Sequence, residues 1–350
     1  MIVTIILFLI IFSIVVISHE FGHFIIGKRN GIRVVEFSVG MGPTLFSFQK
    51  GETKYSLRLL PLGGACMFDG EDGLAEEKGE ADEHTFLAAP VWARIAAVFA
   101  GPFFNFVLAF LFALLLVAFS GTDLPVIWHV SEGSAAEEAG LMPGDTIMKI
   151  NGERTYLSRE IILISALNRG EDMELLIERN GQEQNVTITP RYSEEDARYY
   201  MGLATGEQIK CNPLQVFQYS MYEMRYWVKM TYKSLFMLLQ GRVSRNDVSG
   251  PIGIAQMIGD NYEAARPEGI TIVIFTMMRI VILLSVNLGI INLLPIPALD
   301  GGRLVFMFIE VFRGKPVPPE KEGMVHFAGM VVLMLLMVFV MYNDIVKLIH

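Results

Sequence analysis

The sequence is poor in charge and in cysteine. Charged residues make up 19% of the 350 residues, against about 25% in an average soluble domain. The two cysteines, Cys66 and Cys211, form no CxxC pair, which argues against a disulfide framework or a cysteine zinc site. The net charge of −9 provides no basic surface, so we expect no nucleic-acid partner.

The low charge content is accompanied by long apolar segments. Four segments are apolar over the length of about 20 residues that a membrane-spanning helix needs, namely 1–27, 91–120, 270–294 and 325–350. We interpret the first as a span and not as a signal peptide, because no basic residue precedes it and no small-residue cleavage site follows it. The sequence therefore predicts a polytopic α-helical membrane protein with four transmembrane helices.

The segments between the spans differ in character. Residues 28–90 contain short predicted strands between Val34 and Gly64, followed by an acidic loop from Asp69 to Glu83. Residues 121–192 alternate strand patterns with turns, as a small α+β module does, with strands predicted at 146–150 and on either side of Asn180-Gly181. Residues 193–269 form a connecting region, which contains either an amphipathic helix at the membrane surface or an ordinary packed helix.

Lysine and arginine in the short loops predict the orientation. They follow the first span, open the second and separate the third from the fourth, at Lys28, Arg29, Arg33, Arg94, Arg303, Arg313, Lys315 and Lys321. We expect all of these loops, including 295–324, to face the cytoplasm. The module at 121–192 then lies on the opposite side.

The first span ends in a motif that indicates a metal site, His19-Glu20-Phe21-Gly22-His23. On a helix, positions i and i+4 share one face, so both imidazoles can reach one ion, and Glu20 can activate a water there. Ionisable groups inside an apolar helix are costly, about 2.5–3.5 kcal/mol for a central charge, and they mark function. The alternative is a structural pair of satisfied histidines.

A catalytic zinc takes three protein ligands and leaves one position open. After the third span, Pro295 and Pro297 break the helix, and Asp300 follows. A broken helix at membrane depth lines a cavity, so Asp300 is our candidate third ligand; its alternative role is to cap the next helix. The remaining histidines lie in no such motif, and we interpret them as surface or packing residues: His84, His129, His326 and His350.

Together these motifs resemble the site-2 protease family, and within it the bacterial RseP-type members. The resemblance is carried by the histidine motif of the first span and by the segment from Asn292 to Gly301. Further matches are Gly40-Met41-Gly42-Pro43, Pro61-Leu62-Gly63-Gly64, Gly101-Pro102-Phe103-Phe104-Asn105 and Ser249-Gly250-Pro251-Ile252. The module at 121–192 is similar to a PDZ domain through Gly133-Ser134-Ala135-Ala136 and Ala139-Gly140-Leu141-Met142-Pro143-Gly144-Asp145. This chain has room for one such module, whereas the best-known bacterial members carry two in tandem.

The resemblance implies an intramembrane zinc metalloprotease, a metalloendopeptidase with one Zn²⁺ per chain. His19, His23 and Asp300 would bind the metal, and Glu20 would be the general base. The implied substrate contacts are Asn292, Pro295, Pro297, Gly63 and Gly64. The strands between Val34 and Gly64 would form a membrane-re-entrant β-hairpin, which could bind an unwound substrate by strand addition.

The resemblance also implies partners and a location. The substrates would be single-span membrane proteins, such as anti-sigma factors or remnant signal peptides, cut in regulated intramembrane proteolysis. The location would be the bacterial inner (cytoplasmic) membrane, with the active site towards the cytoplasm and the PDZ-like module outside. A metal transporter is one alternative, although no inverted repeat is visible between the halves. A catalytically dead PDZ scaffold is another, although all four candidate site residues are present.

Overall fold

The computed structural model describes residues 2–71, 83–168, 170–194, 198–241 and 249–349. Most of the predicted acidic loop from Asp69 to Glu83 therefore lies outside the described residues. The chain divides into two compact units. Met1–Phe112 and Trp227–His350 form the first, which we call the helical unit, and Ala113–Tyr226 forms the second, which we call the sheet unit.

Long helices alternate with two groups of strands. The helices are α1 Ile2–Arg29, α2 Val91–Ser120, α3 Ala135–Glu138, α4 Ser158–Leu167, α5 Pro213–Leu239, α6 Pro251–Ala265, α7 Ile270–Leu293, α8 Asp300–Arg313 and α9 Pro319–Ile349. The strands are β1 Val34–Lys50, β2 Thr53–Phe68, β3 Thr122–Val130, β4 Thr146–Ile150, β5 Glu153–Arg154, β6 Met173–Arg179, β7 Gln182–Ile188, β8 Arg191–Ser193, β9 Arg198–Tyr200 and β10 Leu203–Ile209. As the sequence predicted, four of the described helices are long and apolar enough to cross a membrane: α1, α2, α7 and α9.

One hydrophobic cluster of the helical unit lies where α1, α6 and α7 meet. Ile11 and Val15 of α1 pack there with Ile258 of α6 and Val281 of α7. Small residues allow the close approach on which helix association in lipid depends. A Cβ added at Gly259 would stand 2.8 Å from a side-chain carbon of Thr4. By contrast, no residue in the most apolar stretch of α9 is buried, which suits contact with hydrocarbon.

β1 and β2 form one long antiparallel hairpin of 17 and 16 residues. The sequence predicted short strands here because glycine and proline punctuate the segment, and this prediction was wrong. The structure keeps both strands continuous and accommodates the glycines and the proline as register shifts, which run from Val34 to Phe46. Gly40 and Gly42 have φ values of +89° and +85°, which glycine adopts without strain. Large apolar side chains are exposed towards the turn: Leu45, Phe46, Phe48, Leu57 and Leu59.

The sheet unit has the strand order β10-β3-β4-β6-β7, with β5 paired to β4. Side chains from this sheet and from α4 form its core: Ile127, Ile147, Ile150, Ile161, Leu175 and Ile177. The predicted strand at 146–150 is confirmed. The predicted hairpin around Asn180-Gly181 is also confirmed, and both turn residues have positive φ, 51° and 76°, as a type I′ turn requires. The sheet extends past the boundary predicted at residue 192, because β10 pairs with β3.

α5 occupies the region for which the sequence left two interpretations. Leu214, Phe217 and Met221 are exposed on it at spacings of three and four residues. This spacing makes one apolar stripe along the helix. Such a stripe is what a helix at a membrane surface needs, and that assignment stays a prediction.

The connection between α7 and α8 is a tight loop. Pro295 and Pro297 lack the N–H groups that would continue a helix, and the chain resumes helical geometry at Asp300. Leu299 is the N-cap residue of α8, and no side chain donates or accepts a capping hydrogen bond there. The alternative role of Asp300 as the cap of this helix is therefore wrong. Its carboxylate is available for another contact.

Candidate metal centre

Two histidines of α1 project from the same side of the helix. His19 and His23 are four residues apart within a continuous helix, so their rings lie one above the other. Both side chains are buried, with residue exposures of 7% and 8%. Their Nε2 atoms are 3.2 Å apart. The two nitrogens therefore point at a common position.

Asp300, at the start of α8, completes a group of three donor atoms. Its Oδ2 lies 3.1 Å from Nε2 of His19 and 3.4 Å from Nε2 of His23. The three side chains each offer one ligand atom within 4.8 Å of the others. More than 270 positions of sequence separate α1 from α8, so the fold and not the local pattern brings this carboxylate to the histidines.

The spacing of the three atoms fits a zinc ion. Two donors that bind zinc at about 2.1 Å with a tetrahedral angle stand about 3.4 Å apart. The observed separations are 3.1, 3.2 and 3.4 Å. Oδ2 of Asp300 is buried and has no hydrogen-bond partner among the described residues. An unpaired buried carboxylate oxygen is costly unless a cation binds it, so the residues present fit a three-ligand metal site.

α2 contacts the outer nitrogen of each ring. Nδ1–H of His23 donates to the carbonyl oxygen of Ala97 at 2.9 Å, which leaves Nε2 free to bind metal. The fully buried amide nitrogen of Asn105 lies 3.3 Å from Nδ1 of His19, while Oδ1 of Asn105 has no partner among the described residues. A half-turn of this amide brings Oδ1 to Nδ1–H of His19 and gives both groups a partner. α2 comes this close at Gly101, where a Cβ would stand 2.2 Å from Nε2 of His23.

Glu20 lies against strand β2. A Cβ added at Gly64 would stand 2.9 Å from Cγ of Glu20 and 3.0 Å from the carbonyl oxygen of Ser38. Glycine at this position therefore lets the strand run beside the carboxylate.

These side chains open onto one cavity of about 540 Å³. Its wall is formed by His19, Glu20, His23, Gly64, Ala65, Cys66, Met67, Phe68, Glu71, Val98, Ala298, Asp300 and Arg303. The family resemblance implied five substrate contacts. Gly64 is part of the wall, and the other four, Asn292, Pro295, Pro297 and Gly63, are not.

Two further charged residues of the wall were not predicted. Arg303 and Glu71 form an ion pair with each other. Arg303 lies one helical turn after Asp300 on α8, and this spacing is a signal that the sequence offered. Glu71 belongs to the predicted acidic loop from Asp69 to Glu83. Neither residue is part of the three-ligand group.

Two buried histidines and an aspartate converge on one point, and a glutamate lines the same cavity. Three of these four residues belong to one apolar helix. This arrangement is typical of a metallopeptidase in a membrane. Residues 7–336 match the model of peptidase family M50, and this chain belongs to that family. The predicted resemblance to the site-2 proteases is thereby confirmed. The chain is a zinc-dependent metalloendopeptidase.

Similar proteins align over nearly the whole chain. The zinc metalloprotease RasP of Geobacillus kaustophilus is 34% identical over 98% of each chain. The regulator of sigma-W protease RasP of Bacillus subtilis is 32% identical over 99% of each chain. These relatives confirm the predicted cofactor and protease function, and neither is named a transporter or a scaffold. The PDZ domain of an SdrC-like protein of Listeria monocytogenes superposes on 24% of this chain and 86% of its own, with 16% identity and a TM-score of 0.22.

Proposed function

We propose that this chain cuts peptide bonds inside the transmembrane segments of single-span membrane proteins, with His19, His23 and Asp300 as zinc ligands and Glu20 as general base. The convergence of three ligand atoms, with Oδ2 of Asp300 buried and without a hydrogen-bond partner among the described residues, carries the proposal. The location of the three proposed ligands supports an intramembrane reaction, because two of them belong to a helix apolar enough to lie in hydrocarbon.

Each residue of the cavity has a separate role in the proposed hydrolysis. When bound, zinc polarises the scissile carbonyl and lowers the pKa of a water to about 7. Glu20 faces the same cavity as the three ligands, so its carboxylate takes the proton of the attacking water and returns it to the leaving amine. Ala97 and Asn105 hold the outer nitrogens of the two rings. Val98 and Phe68 contribute apolar surface that limits water in the cavity.

A substrate has to reach this centre as an extended peptide, because a helical peptide bond is shielded by its own turn. β2 runs beside Glu20 at Gly64, and we place the unwound substrate along this strand, bound by backbone hydrogen bonds. Gly63 lies next to it and would leave backbone groups uncovered. Asn292, Pro295 and Pro297 stay proposed contacts for substrate residues beyond the cavity.

The protein is a multi-pass membrane protein, and we place it in the bacterial inner membrane. The basic residues in the last turn of α1, Lys28 and Arg29, favour a position of the metal centre towards the cytoplasm. The sheet unit then lies outside, where it would act as a PDZ-like docking site or filter. The exposed apolar side chains of the β1–β2 hairpin favour its re-entry into the membrane.

The substrate class that we propose is a membrane-bound regulator of the anti-sigma-factor type, with remnant signal peptides as a further class. The name of the Bacillus subtilis relative, a regulator of sigma-W protease, supports the first. A regulator of this type, held to the membrane by one span, would belong to the single-span substrate class proposed above.

The test uses the full chain in detergent with a single-span substrate. Glu20→Gln should reduce cleavage at least about a hundredfold, as loss of a general base does, while about one zinc per chain remains bound. Zinc is measured on the same samples by mass spectrometry. Glu268→Gln, at an exposed position, is the matched control and should cleave as the native chain does.

Equal cleavage by the native chain and Glu20→Gln would exclude Glu20 as the base. Zinc loss in Glu20→Gln would instead show that the substitution disturbs the site. Absence of cleavage by the native chain on several substrates, with zinc bound, would contradict the protease proposal.

A further inference from the structure

His326 of α9 contacts the loop that presents Asp300. The backbone N–H of Ala298 donates a hydrogen bond to Nδ1 of His326 at 2.9 Å. Ala298 lies two residues before Asp300 and forms part of the same cavity wall. A side chain of the fourth candidate span therefore contacts the backbone next to a metal-site carboxylate.

This loop needs a contact from outside because its own conformation is unfavourable. Ala298 has a φ of +73°, in the left-handed region that residues with a Cβ rarely adopt. Pro295 and Pro297 have no N–H to donate. The backbone hydrogen bonds within the loop join Ile296 to Leu294 and Leu299 to Ile296. Neither bond uses the N–H of Ala298, which His326 accepts instead.

α9 packs closely on the loop at this point. Gly329 lies one turn after His326, and a Cβ added there would stand 2.4 Å from Cβ of Pro297 and 2.7 Å from its carbonyl oxygen. The ring of His326 also lies against Phe306 of α8, with ring centroids 5.5 Å apart. At the far end of α9, Asp344 accepts the N–H of Gly250 at 3.0 Å and so ties this helix to α6.

The hydrogen bond fixes the tautomer of the ring. Because Nδ1 accepts from Ala298, the ring proton lies on Nε2. That nitrogen is buried and has no hydrogen-bond partner among the described residues, and the nearest carboxylate oxygen is that of Glu322 at 3.8 Å. An unpaired buried donor lowers stability. The bond with Ala298 is the one hydrogen bond that the ring makes among the described residues.

We infer that His326 is a positioning residue of the metal centre. It holds Ala298 in the left-handed conformation and thereby places the carboxylate of Asp300 against His19 and His23. This inference rests on the proposed function, in which Asp300 is a zinc ligand. It gives α9 a role in the site although α9 contributes no ligand to the described group.

The test measures metal binding and does not depend on cleavage. The full chain in detergent is stripped of metal and titrated with Co²⁺, whose absorption spectrum reports its ligands, in competition with a chelator. His326→Leu removes the acceptor, and we expect the Co²⁺ affinity to fall about ten- to a hundredfold, as for other contacts that orient a ligand. The spectrum should shift towards that of Asp300→Asn. His326→Asn places an oxygen near the position of Nδ1, and its affinity should stay within about threefold of the native value.

Three further variants make the result decisive. Gly329→Ala leaves His326 intact but pushes α9 from Pro297, so it should also weaken Co²⁺ binding. His326→Gln places its acceptor too far along the side chain and should behave as His326→Leu does. Phe327→Leu, an exposed neighbour on α9, should bind as the native chain does.

The outcomes separate this inference from the proposed function. Native affinity and spectrum in His326→Leu, with binding impaired in Asp300→Asn, would overturn the role of His326 alone. Native binding in Asp300→Asn would overturn the assignment of Asp300 as a ligand. If His326→Leu does not fold, equal binding by His326→Asn and His326→Gln would overturn the inference, and retention by His326→Asn alone would support it.

Discussion

Ala97 and Asn105 show how one helix can orient two metal ligands. They lie two turns apart on α2, and each faces the outer nitrogen of one histidine. At position 97 the backbone carbonyl makes the contact, so many residue types would serve. At position 105 the side chain makes it, and an acceptor is needed there if His19 is to present Nε2 to the metal.

Replacing Asn105 should therefore weaken zinc binding. We expect Asn105→Leu, which keeps the volume but loses the acceptor, to lower zinc affinity about ten- to a hundredfold. Asn105→Asp keeps an acceptor oxygen and should bind within a few fold of the native chain. Chelator competition on the full chain measures both affinities. Phe103→Leu, an exposed position of α2, is the control.

The comparison between the two variants decides the direction of the hydrogen bond. Weak binding by Asn105→Asp together with Asn105→Leu would mean that the amide donates to His19, which contradicts the proposed tautomer. Native binding by Asn105→Leu would mean that the residue only fills space.

The residues of the site differ in how far the sequence could predict them. The histidines and Glu20 follow from helix periodicity alone, because their partners lie within one turn. Asp300 was found because a broken helix after an apolar span is itself a local pattern. Asn105 and His326 act on residues 86 and 28 positions away. No local spacing encodes such contacts, so the sequence alone predicts only a surface or packing role for His326.

At the scale of whole elements, prediction succeeded where a strand or helix carries its own pattern. The apolar helices and the hairpin around Asn180-Gly181 are examples. β10 was missed because its sequence, Leu203-Ala204-Thr205-Gly206-Glu207-Gln208-Ile209, has no clear alternation and contains a central glycine. Its pairing with β3 makes it a strand. Long-range pairing, and not a local sequence pattern, therefore makes β10 a strand.

The ion pair between Asp145, which precedes β4, and Arg179 of β6 predicts how the stability of the sheet unit depends on pH. Asp145, 1% exposed, accepts hydrogen bonds from Nε and Nη2 of Arg179, both at 2.7 Å, and from the N–H of Met142. Burial alone would raise the pKa of Asp145, but these bonds outweigh it and hold the pKa below its usual value. The stabilisation is therefore present above the unfolded-state pKa of about 3.9. It is lost as the pH falls below that value towards the folded-state pKa.

We expect the thermal midpoint of the sheet unit to drop as the pH is lowered from about 5 to about 3. Asp145→Asn should unfold several degrees lower than the native chain at pH 7, and the difference should shrink in acid. Amide hydrogen exchange of β4 and β6 in the full chain, followed as the temperature is raised and corrected for the intrinsic effects of pH and temperature, measures both. Glu183→Gln, exposed on β7, is the control. A difference that stayed constant with pH would exclude Asp145 as the titrating group.

At the scale of the whole molecule, the described ligand group belongs to the helical unit alone. His19 and His23 come from the first helix of the chain and Asp300 from a helix near its other end. A bound ion would therefore join two elements that are distant in sequence, α1 and α8. The sheet unit has its own core and contributes no residue to this group among the described residues.

Removal of zinc should therefore lower the stability of the helical unit and leave the stability of the sheet unit unchanged. A ligand that binds only the folded state at a hundred times its dissociation constant stabilises that state by about 2.7 kcal/mol. After chelation, we expect faster amide exchange in α1 and α8, unchanged exchange in β4 and β6, and full recovery when zinc is restored. Asp300→Asn should show the fast exchange from the start and respond little to the chelator. Equally faster amide exchange in both units after chelation would contradict a metal that acts within the helical unit. Slow exchange in α1 and α8 after chelation would show that packing holds the ligands in place without the ion.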